Sequence, residues 1–253
     1  MAIKTEQIDR INIFIRCIAI QASWNFKALI GMGFCFCVIP LARRLCNTPE
    51  ERSEFLRRHL EFFNAHPYFA SYCLGAVTKL EEESLSKEWP DKMPISVFKE
   101  RMAGPLGALG DELFWSRIKP VTLTLAMCLG LTVGWIALPV FLVAYNVPHF
   151  YIRLKGWRLS YRLGFDIVSV LSMRRFQKSL QRISMAGLIL AGALLGLSSW
   201  WSLKQDLSVF VAFWLSAALA LVLVKFKLSV KFVILTAIGC GLLVGAFFLI
   251  FSI

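Results

Sequence analysis

The pattern of apolar and polar positions divides the chain near its middle. Four stretches, 121–145, 183–201, 207–224 and 232–253, are apolar runs approaching or exceeding the ~20 residues that a helix needs to cross a bilayer. Before residue 121 the pattern changes. In "RINIFIRCIAI", Ile11, Phe14, Ile15 and Ile18 recur on one helical face. That period predicts an amphipathic helix, lying on the membrane surface or on the protein's own core. "NTPEERSEFLRRHLEFFNAHP" predicts a second helix, with Thr48 as cap, Pro49 in the first turn, and Glu50 and Glu51 at the positive end of the dipole. It should stop around Asn64, because Pro67 disfavours helical geometry in His66. A third helix is predicted over 68–84, ending in Glu81, Glu82 and Glu83.

Charge gives these segments an orientation. Residues 146–182 carry eight Lys and Arg, 202–206 carry one, 225–231 carry three, and nothing basic follows Phe232. The positive-inside rule places 146–182 and 225–231 in the cytoplasm and the C-terminus outside. Residues 1–120, with 16 Lys and Arg, also read as cytoplasmic, which one crossing by 121–145 does not allow. Either the apolar run 28–42 crosses or re-enters, or 121–145 is a hairpin bent near Gly134, Trp135 and Pro139. A broken helix is tolerated in a membrane only where protein or a water-filled cavity covers the freed backbone groups, as in transporter binding sites.

Composition agrees and excludes some functions. The chain has 253 residues, of which 57% are hydrophobic, and 14 of its 16 acids fall before residue 121. A net charge of +12 would suggest nucleic acid in a soluble protein. Here the basic residues gather in loops suited to an anionic lipid surface, so no nucleic-acid partner is expected. The N-terminus does not read as a signal peptide, and insertion without cleavage is expected. The seven cysteines form no CxxC and no zinc spacing, so reduced, mostly buried thiols are expected, with no metal and no cofactor.

Several groups can carry chemistry. Gln21, Ser23, Trp24 and Asn25 lie together before a glycine-bearing run. Amides beside an indole suit a sugar, whose hydroxyls they bond while the ring covers a C–H face; they equally suit helix caps and an interfacial tryptophan. Asn64 and His66 stand at a helix end, where His66 can bind a ligand, relay a proton or cap. His59 is expected to be solvated and His149 structural. Glu81–Glu83 oppose their helix dipole, which calls for a partner, a cation or nearby Arg, although Glu83 reads as solvated. In "AGPLGALGDELFWSRIKP", Gly104, Gly107 and Gly110 precede Asp111. No Gly-Lys-Ser/Thr follows, so this is not a phosphate loop. An acid at membrane depth is costly and marks a functional site. No nucleophile–base grouping is found.

Four motifs occur in order: "QASWNFKALIGMGFCFCVIPLARRL", "RHLEFFNAHPYFASYCLGAVTKLEEE", "MAGPLGALGDELFW" and "LVAYNVPHFYIRLKGWRLSYRLG". Together they resemble the membrane component IID of the mannose–fructose–sorbose type bacterial phosphotransferase systems. The match covers about residues 21–164 motif by motif. The resemblance implies a transporter subunit of the bacterial inner membrane, paired with a IIC chain in a trimer of IIC–IID pairs that work by an elevator motion. It implies that cytoplasmic IIA and IIB supply the phosphate, that a hexose or hexosamine is carried, and that this chain is not itself phosphorylated. It implies that Gln21, Ser23, Trp24, Asn25, Asn64, His66 and Asp111 lie at or near the sugar. Glu112 departs from the pattern, which often has a small residue or proline there. Ser116 and Lys119-Pro120 stand where glycine and Arg-Pro are usual. These departures leave open a changed substrate, or a diverged scaffold that moves no sugar.

The expected fold is all-α and polytopic. Residues 1–120 form amphipathic and re-entrant helices with the sugar and IIC contacts. Residues 121–164 form a hairpin or span plus a basic motif, and 165–253 a basic linker and three transmembrane helices. The stretch 103–120 is expected to be a re-entrant turn with Asp111 at its tip.

Overall fold

A computed structural model describes residues 2–171, 173–225, 232, 235–236, 238–243 and 246. Among them the structure is helical, without strands. The last predicted span, 232–253, and the predicted external C-terminus fall largely outside the described residues. The chain forms two compact units, Met1–Thr122 with Val140–Met185, and Leu123–Pro139 with Ala186–Ile253.

In the first unit, α1 (Ala2–Ile18) and α2 (Gly31–Leu45) pack together. Ile13 and Cys17 are fully buried, while Ile11, Ile15 and Ile18 remain exposed. The run 28–42 supplies a core helix, with Phe34, Cys37, Val38 and Leu41 buried. α3 (Pro49–His59) starts as predicted: Thr48 accepts from the Glu51 amide, and the Glu51 carboxylate accepts back from the Thr48 amide. It ends at His59, five residues before the expected stop. Residues 60–69 are released to pair with another loop instead. α4 (Ala70–Ser86) fills the centre with Cys73, Leu74, Val77 and Leu80.

The expected turn at 103–120 is helix throughout. α5 (Met93–Gly110) runs into a π-helical segment, Asp111–Ile118, and then into α6 (Lys119–Val133). Glycine and proline here signal a turn locally, but they occupy a helix face rather than break the helix. A real interruption comes later, at Gly134–Ile136, where Gly134 has φ +66°. This is the bend position that the hairpin expectation named. α7 (Ala137–Leu163) follows. It crosses α4 at paired glycines: a methyl on Gly156 would sit 2.4 Å from the Tyr72 ring, and one on Gly75 2.3 Å from Ser160 Oγ. A 3-10 turn (Gly164–Asp166) and the short α8 (Ile167–Val170) precede α9 (Met173–Gln205) and α10 (Leu207–Lys225).

The acidic end of α4 is internally paired, by the arginines that the sequence made one of three candidates. Glu81 accepts from Arg58 at 3.1 and 3.3 Å and meets His59 Nε2 at 3.0 Å. His59 is therefore buried, 1% exposed, and not solvated as expected. Glu82 accepts from Arg10 at 3.2 Å, Arg44 at 2.5 Å and the Tyr161 hydroxyl at 2.5 Å. Glu83 stays near the surface with Lys79 and Lys87.

Two helical runs, Met93–Val170 and Gln177–Gln205, contain stretches apolar and long enough to cross a membrane. In the second unit these side chains turn outward: Leu188 is 75% and Ile189 71% exposed. Apolar helix surface on that scale requires lipid or a partner rather than water.

Candidate functional site

A cleft of about 290 Å³ opens where three segments of the first unit meet. Each arrives for a separate local reason. Residues 19–30, between α1 and α2, are shaped by Asn25. Its Oδ1 accepts from the amides of Lys27 (3.0 Å) and Ala28 (2.9 Å), and its Nδ2 donates to Ser23 O (3.2 Å). Asn25 and Leu29 exchange backbone hydrogen bonds, which holds Leu29 at φ +52°, costly for a residue with a branched side chain. The Ile30 amide donates to Phe63 O, and the Phe63 amide donates to Ala28 O. These two bonds join the loop to residues 60–69.

His66 anchors that second loop. Its carbonyl accepts from the amides of Phe69 and Ala70 and so starts α4. Its Nδ1 accepts from the Tyr68 amide at 3.2 Å, which assigns the neutral ring's proton to Nε2. The ring stacks on Phe114 with centroids 5.5 Å apart and meets Trp115 edge-on at 5.4 Å. It is 2% exposed, and Nε2 has no partner among the described residues. Tyr68 beneath it stacks on His149 at 3.9 Å, bonds the Tyr145 hydroxyl at 3.0 Å and lies under the Arg153 guanidinium. His149 is buried, 8% exposed, and stacks on both Tyr68 and Phe150.

The helical side of the cleft is glycine-faced. A methyl on Gly110 would lie 2.3 Å from His66 Cγ, so only glycine allows this approach. Asp111 follows at the first position of the π segment, where its exposed side chain faces the cleft with Trp115. π-turns recur at functional sites because the extra residue re-aims the side chains around it.

Five of the residues singled out in the sequence line this cleft: Gln21, Trp24, Asn64, His66 and Asp111. Ser23 and Asn25 do not. The Asn25 carboxamide spends its bonding capacity on its own loop. Gly104 and Gly107 of the marked motif also line the cleft, as do Trp115 and Leu29, which the sequence reading did not mark. Trp115 was discoverable, four residues after Asp111 in the same motif. The set offers amide donors and acceptors, a carboxylate acceptor and two indole faces, with the buried His66 ring behind them. Such a surface suits a neutral polyhydroxylated ring, and its volume lies at the small end of ligand sites, about 300 Å³.

Burial, helped by the positive charge of Arg153 and by His149, holds the His66 imidazole well below its usual range, at about 4. The folded state therefore binds fewer protons than the unfolded chain between about pH 4 and pH 6.5. Stability arising from this group is complete above that window and falls as pH drops through it. Thermal unfolding at pH 7, 5.5 and 4.5 should show this decline, and His66→Gln should remove part of it. An equal decline in the variant would contradict a neutral His66.

Among the described residues, an all-helical fold with outward apolar helices defines a membrane protein, and its first unit carries a small polar, aromatic-flanked cleft. The family model for the mannose/fructose/sorbose phosphotransferase system IID component matches residues 4–251. The chain belongs to that family, which makes it a phosphotransferase-system sugar-transport component of the membrane. It is 34% identical to the mannose-specific EIID component of Escherichia coli over 76% of this chain and 68% of that one. It is also 34% identical to the fructose permease IID component of Bacillus subtilis, over 78% and 71%. The sorbose-specific EIID component of Klebsiella pneumoniae is 30% identical over 81% and 74%. A chain from a cryo-EM structure of the mannose transporter ManYZ in complex with a microcin superposes with TM-score 0.61 at 34% identity, covering 74% of this chain and 69% of that one. A second solved membrane protein gives TM-score 0.76 at 28% identity, covering 95% and 96%.

Proposed function

We propose that this chain is the IID subunit of a mannose-family permease. With a IIC chain it forms the path of a hexose or hexosamine that IIB phosphorylates on arrival. The observation that carries this reading is the convergence of Gln21, Trp24, Asn64, His66 and Asp111 on one cleft from three separated segments. Asp111 and Asn64 take hydroxyl groups, with the buried His66 ring behind them, and Trp24 covers a ring face or the IIC seam. Ser23 and Asn25 act one step back, by shaping the loop that carries Trp24. In this reading the protein is a multi-pass component of the bacterial inner membrane with its C-terminus outside, residues 121–145 form a hairpin, and IIC–IID pairs assemble as a trimer.

Phosphoenolpyruvate-dependent uptake of mannose, glucose, fructose and glucosamine, with the cognate IIC, IIA and IIB present, tests the reading. A hydrogen bond to a charged group contributes about 1.5–3 kcal/mol. Asp111→Asn should therefore raise the half-saturating sugar concentration by about tenfold to a hundredfold. No uptake of any of these sugars would favour a scaffold that moves none. Wild-type uptake by Asp111→Asn would remove Asp111 from the site.

A further inference from the structure

The π-helical segment Asp111–Ile118 is eight residues long, while most π-turns are single insertions in an α-helix. Something must hold the wider winding. Glu112 and Arg117 are five residues apart, and the Arg117 Nη1 ion-pairs with Glu112 Oε1. The same Nη1 donates to the Glu112 carbonyl at 3.2 Å. In an α-helix of 3.6 residues per turn, positions i and i+5 point about 140° apart, and only i+3 and i+4 are neighbours. A π-turn bonds i to i+5 and brings these two side chains together. The pair is thus compatible with one winding and broken by the other. Arg117 Nε also donates to Ser184 Oγ on α9 at 3.0 Å, which ties the segment to a neighbouring helix.

We propose that Glu112 and Arg117 form a register clasp. They are positioning residues that keep Asp111–Ile118 in π winding and so keep Asp111 in the cleft. The downstream end is anchored, because Ile118 is buried and Arg117 is bonded to Ser184. If the segment rewinds to α, its two packed ends must turn against each other, and the contact of Gly110 with His66 gives way. Asp111 then leaves the cleft wall. The clasp gives Glu112 a role that needs no contact with sugar. Its effect on transport rests on the sugar-site reading above, whereas its effect on winding does not.

The test uses the full chain in membranes with its IIC partner, as Glu112→Ala, as Arg117→Ala, and as the charge swap Glu112→Arg/Arg117→Glu. Cryo-EM of each complex reads the winding directly, and mannose uptake reads the site. The expected result is α winding in both single variants and π winding in the swap. Half-saturating mannose should rise about tenfold in the singles, with maximal rate and complex yield less affected, and the swap should recover most of the loss. Retention of π winding in both single variants overturns the clasp. So does a swap no better than the singles in restoring π winding, whereas a rewound segment with unchanged half-saturation supports the clasp and overturns Asp111 as a sugar contact. If the wild-type complex takes up none of mannose, glucose, fructose and glucosamine, the sugar reading is what fails, and the winding and the position of Asp111 still decide the clasp.

Discussion

Replacing Gly110 with alanine is expected to disable the site through one methyl group. That methyl would lie 2.2 Å from His66 Cβ and 2.3 Å from Cγ. The ring cannot step aside. Its Nδ1 is held by the Tyr68 amide, its face lies on Phe114, and its backbone carbonyl starts α4. Overpacking a fixed site of this kind costs about 1–3 kcal/mol or more, and the relief available is separation of α5 from the 64–66 loop. Sugar uptake should therefore be lost along with stability. Gly104→Ala is the matched control, because a methyl there meets nothing within 4 Å. In a helix interior that exchange is favourable by about 0.5–1 kcal/mol. Thermal unfolding in detergent should rank Gly104→Ala at or above wild type and Gly110→Ala clearly below it. Equal unfolding temperatures for the two variants would refute the close contact.

Glu81→Ala should strongly destabilise the first unit. The carboxylate is 3% exposed and receives both the Arg58 guanidinium and the His59 ring. Burial alone pushes the Glu81 carboxyl up, but the hydrogen bonds from His59 and Arg58 and the Arg58 charge more than reverse this and hold it below its usual range. Burial likewise holds His59 low, opposed by Glu81. Removing one member of a buried charged network strands the others, at a cost of about 3–5 kcal/mol. Glu83→Ala, two residues on, breaks only the semi-exposed pairs with Lys79 and Lys87 and should cost about 0.5 kcal/mol or less. Stability from Glu81 is complete above about pH 4.3, its unfolded range, and is lost as pH falls through its lower folded value. Unfolding titrations of both variants at pH 7 measure the contrast. Comparable losses would show that the Glu81 network contributes little.

Some of this molecule could be read along the chain. Thr48, Pro49 and Glu51 announce the start of α3, because a cap is made within four residues. The expected range of α4 falls within two residues of Ala70–Ser86. Asp111 was marked by its neighbours and does lie in the cleft. Other readings failed where the deciding contact is distant in sequence. α3 stops at His59 because Phe63 is needed for backbone bonds with Ala28 and Ile30. His59 looks solvated on a charged helix until Glu81 arrives from α4. Gly107 and Gly110 look like part of a turn until the 64–66 loop packs across the helix face they form.

By itself the sequence determined that this is a helical membrane chain of the IID family, where several of its helices begin, and which polar residues merit attention. Those properties follow from periodicity, caps and ordered motifs, all set by short-range chemistry. Only the tertiary structure decided which of the marked residues meet. Gln21, Asn64 and Asp111 share a cleft because two backbone bonds join their loops and a glycine face lets α5 approach His66. It also decided that Glu112 pairs with Arg117, since that contact exists only once the helix has taken π winding, which no local propensity announces.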